Sequence, residues 1–183
     1  MSAVANLAVP TPTSHVPSPE SLCWRTDVRM ADAARVAELV AATVFFNTEE
    51  IAIARELVEE HLIKGRASGY WFVFAETADG MAGYACFGPI PATVTSYHLY
   101  WIAVAPACQA RGIGRALLGR VEAAIREGVG TRLYAETSSR LQYAPTREFY
   151  ERTGFRRAAL LPDYFAPGDG KIIYEKLVSL GGS

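Results

Sequence analysis

Little in this chain points to a strongly charged, membrane-embedded or disulfide-stapled protein. Among its 183 residues 18 are basic and 19 acidic, a formal net charge of −1. That leaves no global field to hold nucleic acid or an anionic membrane surface. No apolar run reaches about 18 residues, so no segment is expected to span a bilayer. The three cysteines, Cys23, Cys86 and Cys108, are odd in number and scattered, with neither metal-ligand spacing nor a disulfide framework, a usage that fits a reducing cytosol. No internal repeat is visible. The N-terminus lacks the basic start and long apolar stretch of a secretory signal, so a cytoplasmic protein without a metal is expected.

What is present is a core. Half of the residues are hydrophobic, enough for one domain. Residues 1–22 are rich in Ala, Pro, Ser and Thr and without periodicity, so they read as a disordered tail, leaving 23–183 as the single domain. A short strand is predicted near Trp24 to Met30. A helix follows from Ala31 or Asp32 with Ala33, Val36, Leu39 and Val40 on its buried stripe, and a second from Thr48 as its cap to a stop at Gly65. Tyr70 to Glu76 and Met81 to Phe87 read as a hairpin, in which Tyr70, Trp71 and Phe72 are core residues. Further on, Thr131 to Thr137 reads as a strand, Pro145 to Arg152 as a short helix stopped by Gly154, and Arg156 to Leu161 and Lys171 to Val178 as strands around a loop.

The chain is organised around residues 96–128. Up to Val104 the segment is β-branched and aromatic, as a buried strand should be. After Gly114 the apolar residues Ile113, Ala116, Leu117, Val121, Ala124 and Ile125 recur at helical spacing. A strand therefore passes through a glycine loop into a helix, whose first N–H groups have no intrahelical partner and favour an anion. Gly112 and Gly114 allow a ligand to approach the amides, and Arg111 and Arg115 supply fixed charge. The alternative is a tight turn with solvated arginines. A dinucleotide or P-loop reading is disfavoured, because Leu117 stands at the third glycine position and no Lys-Ser/Thr follows.

Gln109-Ala-Arg-Gly-Ile-Gly after Val104-Ala-Pro, with Phe149-Tyr-Glu-Arg-Thr-Gly-Phe155 some 35 residues on, resembles the GCN5-related N-acetyltransferase (GNAT) superfamily. The resemblance spans roughly Asp27 to the C-terminus. It implies an α/β (α+β) fold: a mixed, mostly antiparallel sheet of about six to seven strands, splayed at its centre and flanked by about four helices. It implies acetyl-CoA as cosubstrate, with pantetheine along Ile102, Ala103 and Val104, Gln109 opening the cofactor-binding loop, and pyrophosphate on the amides of Ala110, Arg111, Gly112, Ile113, Gly114, Arg115 and Ala116. Tyr150 falls where many members place a tyrosine that protonates the leaving thiolate. Many relatives carry Asn and Ala three residues apart before the Phe-Tyr pair; this chain has Tyr143 and Thr146 there.

Acetyl transfer to an amine needs proton removal, because an ammonium has pKa near ~10.4, and it needs donors for the developing oxyanion. It needs no covalent intermediate on Cys108. Alternation places His98, Tyr100, Ile102 and Val104 on one strand face. The resemblance puts His98, eleven residues before Gln109, where some members carry a catalytic Glu or His. His98 is the base candidate, with a packed structural histidine as the alternative; Glu136 is a second candidate. Tyr150 has a core-aromatic alternative. The loop Asp163 to Gly170 is placed to cover an acceptor. The expected function is acetyl transfer to a primary amine of a small molecule in a ternary complex, by a monomer or homodimer. A protein N-terminal or lysine acetyltransferase and a silent acyl-CoA-binding regulatory module are the alternatives.

Overall fold

A computed structural model describes residues 18–178. Seven strands form one sheet, with four helices on its two faces. In chain order these are β1 (Cys23–Arg25), α1 (Asp32–Ala42), α2 (Thr48–Lys64), β2 (Trp71–Thr77), β3 (Gly80–Pro89), β4 (Ser96–Val104), α3 (Ile113–Glu127), β5 (Arg132–Ser138), α4 (Ala144–Arg152), β6 (Arg156–Ala166) and β7 (Asp169–Leu177). The strand order is β1-β2-β3-β4-β5-β7-β6. Every neighbouring pair is antiparallel except β4 and β5.

The helices form for the reasons the pattern suggests. Ala33, Val36, Leu39 and Val40 of α1 and Ala54 and Val58 of α2 are buried against Phe72, Phe74, Tyr84, Cys86 and Ala103 on one sheet face. Ile113, Leu117, Leu118, Val121 and Ile125 of α3 are buried against Val73, Ala85, Leu99 and Leu133 on the other. The start of α2 differs from expectation: Asn47, not Thr48, is the cap. Its side chain accepts from the Glu50 amide at 2.9 Å, and Glu50 accepts from the Asn47 amide at 2.9 Å, a reciprocal pair that occupies two otherwise orphan donors. At the opposite end of the sheet Arg25 grips the fully buried Asp32 in a bidentate pair at 2.6 and 2.8 Å and reaches Glu76 at 3.0 Å. This joins β1, α1 and β2.

Three further expectations are corrected. The tail does not extend to residue 22: Pro19–Ser21 form a 3-10 turn, Leu22 is only 7% exposed within the core, and the Trp24 indole donates to the Pro19 carbonyl at 3.2 Å. Residues 1–17 of the expected tail lie outside the described residues. The loop expected from Asp163 to Gly170 is mostly strand, since β6 and β7 run on to a tight turn where Ala166 pairs with Asp169. Asp163, at φ 53, sits in the irregular stretch of that pairing.

The third correction is in β4. Cys86 pairs with Trp101 but Phe87 with Leu99, so Tyr100 is an extra residue, a β-bulge. A bulge reverses alternation. Leu99, Ile102 and Val104 therefore face α3, whereas Tyr100, Trp101 and Ala103 face α1 and α2. His98 and Tyr100 do share a face, with ring centroids 4.8 Å apart, but Ile102 and Val104 do not join them.

Candidate active site

The pairing of β4 with β5 stops at Leu99 opposite Ala135. Beyond it the two strands splay, and the gap opens into a cleft of roughly 1650 Å³. Ala105 N donates to Ala82 O at 2.9 Å. In an antiparallel ladder the groups that face the neighbour alternate. Ala103 therefore shares the β3 side with Ala105, and Ile102 and Val104 turn their N–H and C=O groups toward the gap. Of the three residues expected to offer a backbone edge, Ala103 is thus already paired. The Val104 carbonyl is also engaged, because Gln109 Nε2 donates to it at 3.1 Å. Gln109 fixes the strand end; the edge left open is both groups of Ile102 and the N–H of Val104.

The turn that follows is curled by two residues in the left-handed region, Ala110 at φ 59 and Gly112 at φ 80. Successive amides turned inward in this way make an anion-binding concavity. The first intrahelical bond of α3 is from Ala116 N to Gly112 O at 2.9 Å, so the N–H groups of Ile113, Gly114 and Arg115 are the orphan donors and that of Ala116 is not. Ala110, Gly112, Ile113, Gly114 and Arg115 line the cleft; Arg111 and Ala116 do not. Gly114 is small for packing: a Cβ there would stand 3.2 Å from the Phe149 ring and 3.8 Å from Val104 Cγ2. An open strand edge running into a cradle of free amides is the donor set that a pantetheine-pyrophosphate chain needs.

Tyr150 and His98 line the same cleft. Tyr150 packs among Phe149, Phe155 and Tyr174, and burial pushes its phenol far above the usual range, so it stays protonated and its O–H can donate a hydrogen bond. Burial lowers the His98 imidazole below its ordinary value, outweighing the nearby Glu136 charge. The neutral form, which accepts a proton, is favoured. Glu136 also lines the cleft; its Oε2 is paired with the Lys171 ammonium at 2.6 Å, and its Oε1 has no recorded partner among the described residues. Cys108 borders the cleft as a half-buried free thiol.

Several lining residues were not singled out by sequence pattern. Phe45, Phe46 and Asn47 come from the α1–α2 connection, whereas Phe165 and Asp169 belong to the stretch expected to cover the acceptor. Tyr143, where the family pattern has Asn, packs edge-on to Phe45 at 4.7 Å, and its hydroxyl lies 3.5 Å from Glu50 Oε1. Arg115 lines the cleft at the start of α3, and Glu49 and Glu50 line it at the start of α2.

Comparison with known proteins agrees with this geometry. The family model of an acetyltransferase (GNAT) domain matches residues 67–157. A crystal structure of a GNAT-family protein from Desulfovibrio desulfuricans is 52% identical, with TM-score 0.85 over 86% of this chain and 99% of that one. More distant likenesses show the fold. An aminoglycoside 6'-N-acetyltransferase complexed with coenzyme A has TM-score 0.69 at 17% identity, over 88% of this chain and 99% of that one. The Salmonella typhimurium protein yncA, with its cofactor acetyl-CoA, has TM-score 0.66 at 20% identity, over 88% and 96%. An uncharacterized protein of Mycobacterium leprae (strain TN) is 35% identical over 104 residues, 56% of this chain, which spans only 27% of that relative's length. With the splayed sheet, the curled loop and a relative matched along its whole length, the chain belongs to the GCN5-related N-acetyltransferase (GNAT) family.

Proposed function

We propose that the protein transfers an acetyl group from acetyl-CoA to a primary amine of a small molecule, by direct attack within a ternary complex. The observation that carries this reading is the meeting, in one cleft, of an unpaired β4 edge, the orphan amides of α3, a neutral histidine and a protonated tyrosine. Acetyl-CoA supplies the activated acyl group as a thioester. Ile102 offers both backbone groups to the pantetheine amides, and the Ile113, Gly114 and Arg115 N–H groups, with the Arg115 charge, hold the pyrophosphate. The Val104 N–H is the oxyanion donor nearest the strand end. His98 takes the ammonium proton directly or through one water, and the Tyr150 hydroxyl gives a proton to the leaving sulfur.

Two measurements test this together. Acetyl-CoA should raise Tm where ATP and NAD do not, and free thiol should appear only when an amine is added. A thermal shift without amine-dependent thiol release would instead make the protein an acyl-CoA-binding module. No shift would remove the cleft as a cofactor site.

A further inference from the structure

We infer that the acceptor is an amine carried on a flat apolar body, an aralkyl amine, seated among Phe45, Phe46, Trp101 and Tyr143. This rests on the transferase reading above and names its substrate class. The four rings form one continuous wall: Tyr143 stands edge-on to Phe45 at 4.7 Å, Phe45 edge-on to Phe46 at 5.2 Å, and Phe46 tilted on Trp101 at 4.9 Å. All four are half-buried and line the cleft, so the wall is open to a ligand along its length. Edge-on and tilted rings leave faces and edges to which a further aromatic ring packs well.

The backbone behind the wall is strained. Val44 lies at φ 55 with 91% of its surface exposed. A β-branched residue is disfavoured in that region, and an exposed side chain gives nothing back through packing. The strain falls immediately before the two phenylalanines, where it sets the direction of the chain that presents them. Thr43 braces the turn, its hydroxyl donating to Val40 O at 2.7 Å.

Charge at this end of the cleft favours a cation. Glu49 and Glu50 lie at this end of the cleft, and neither is in an ion pair among the described residues. The other three acids that line it are ion-paired, Glu136 with Lys171 at 2.6 Å, Glu148 with Arg152 at 3.1 Å and Asp169 with Arg140 at 2.9 Å. One ammonium beside the ring wall is therefore attracted electrostatically and by the ring faces.

The test compares kcat/KM for 2-phenylethylamine, propylamine, spermidine, kanamycin and a peptide with a free N-terminus, using the full chain and acetyl-CoA. The aralkyl amine should exceed each of the others at least tenfold. Phe46→Ala, and Phe45→Leu as a milder change, should cut the ratio of 2-phenylethylamine to propylamine at least tenfold, with calorimetric acetyl-CoA binding reporting that each variant is folded. Preference for spermidine, kanamycin or the peptide, or an unchanged ratio in the folded variants, overturns the assignment. If no amine releases thiol, the transferase reading itself fails, and this inference with it.

Discussion

Tyr150 and His98 are tuned by the same influence in opposite chemical directions. Burial disfavours the charged form of each, which raises the phenol and lowers the imidazole. At neutral pH the phenol stays protonated and the imidazole neutral, the states that the proposed donor and base need. Tyr150→Phe keeps the contacts to Phe155 and Tyr174 and removes only the hydroxyl; kcat should fall on the order of 10²-fold while acetyl-CoA affinity is retained, as single-turnover and calorimetric measurements would show. For His98 the sign is fixed by burial. Its neutral form is lost only as pH falls through a value below 6.5, so kcat/KM should carry an acidic limb below that point. His98→Gln should lower the rate and erase the limb; an intact limb would move the titration to another group. Both residues were legible in the sequence as types in a pattern. Phe45 and Phe46 were not, because two aromatics in a connection between helices look like any other apolar pair until the turn at Val44 aims them.

At the level of elements, the strand–loop–helix centred on Gly112 was legible throughout. Helical spacing, the proline after Val104 and two glycines leave few other arrangements. The choice of glycine for mutation comes from the structure. Gly114 faces Phe149, so its replacement disturbs packing between α3 and α4, whereas a Cβ on Gly112 meets nothing nearer than Pro19 Cγ at 3.7 Å. At φ 80 a β-branched side chain strains the curl itself. Gly112→Val should weaken acetyl-CoA binding by tenfold or more, about 1.4 kcal/mol, with little change in the helix content seen by circular dichroism. The bulge at Tyr100 was illegible for a physical reason. Tyr100 and Trp101 are both large and aromatic, and nothing in their order marks which one is extra, so simple alternation carried Ile102 and Val104 to the wrong face. The β6–β7 turn was missed similarly, because Pro162 and Pro167 suggest a loop where the strands in fact tolerate one at an irregular point and one at the turn.

Across the whole molecule, the β1 side of the sheet is held by charge as well as by packing. Asp32 is fully buried beneath Arg25, so removing it leaves a guanidinium in the interior with half its partners gone. Asp32→Ala should cost about 3–5 kcal/mol and lower Tm by roughly 10 °C; a shift within a degree or two would show that the pair contributes little. Glu76 adds a pH dependence. The hydrogen bond from Arg25, opposed by burial, keeps its carboxyl below the ordinary 4.5. Its contribution is fully present above that value and is lost as pH falls through the lowered one, which acid titration of Tm should reveal. Wild type should lose more stability in acid than Glu76→Gln.

The four residue pairs from Ser96–Arg132 to Leu99–Ala135 are the whole ladder between β4 and β5, and they lie at one end of the seam. The sheet is therefore built like a zipper fastened at the bottom only, with β1 to β4 on one side and β5, β7 and β6 on the other. Without cofactor, hydrogen exchange should be fast at the Ile102 and Val104 amides and slow at Ala103, whose N–H faces β3. With acetyl-CoA bound, Ile102 and Val104 should slow selectively, since the pantetheine arm stands in for the missing ladder. Cofactor supply would then govern how tightly the two halves of the sheet breathe, and proteolytic susceptibility along the seam would become a readout of how much of the protein is loaded.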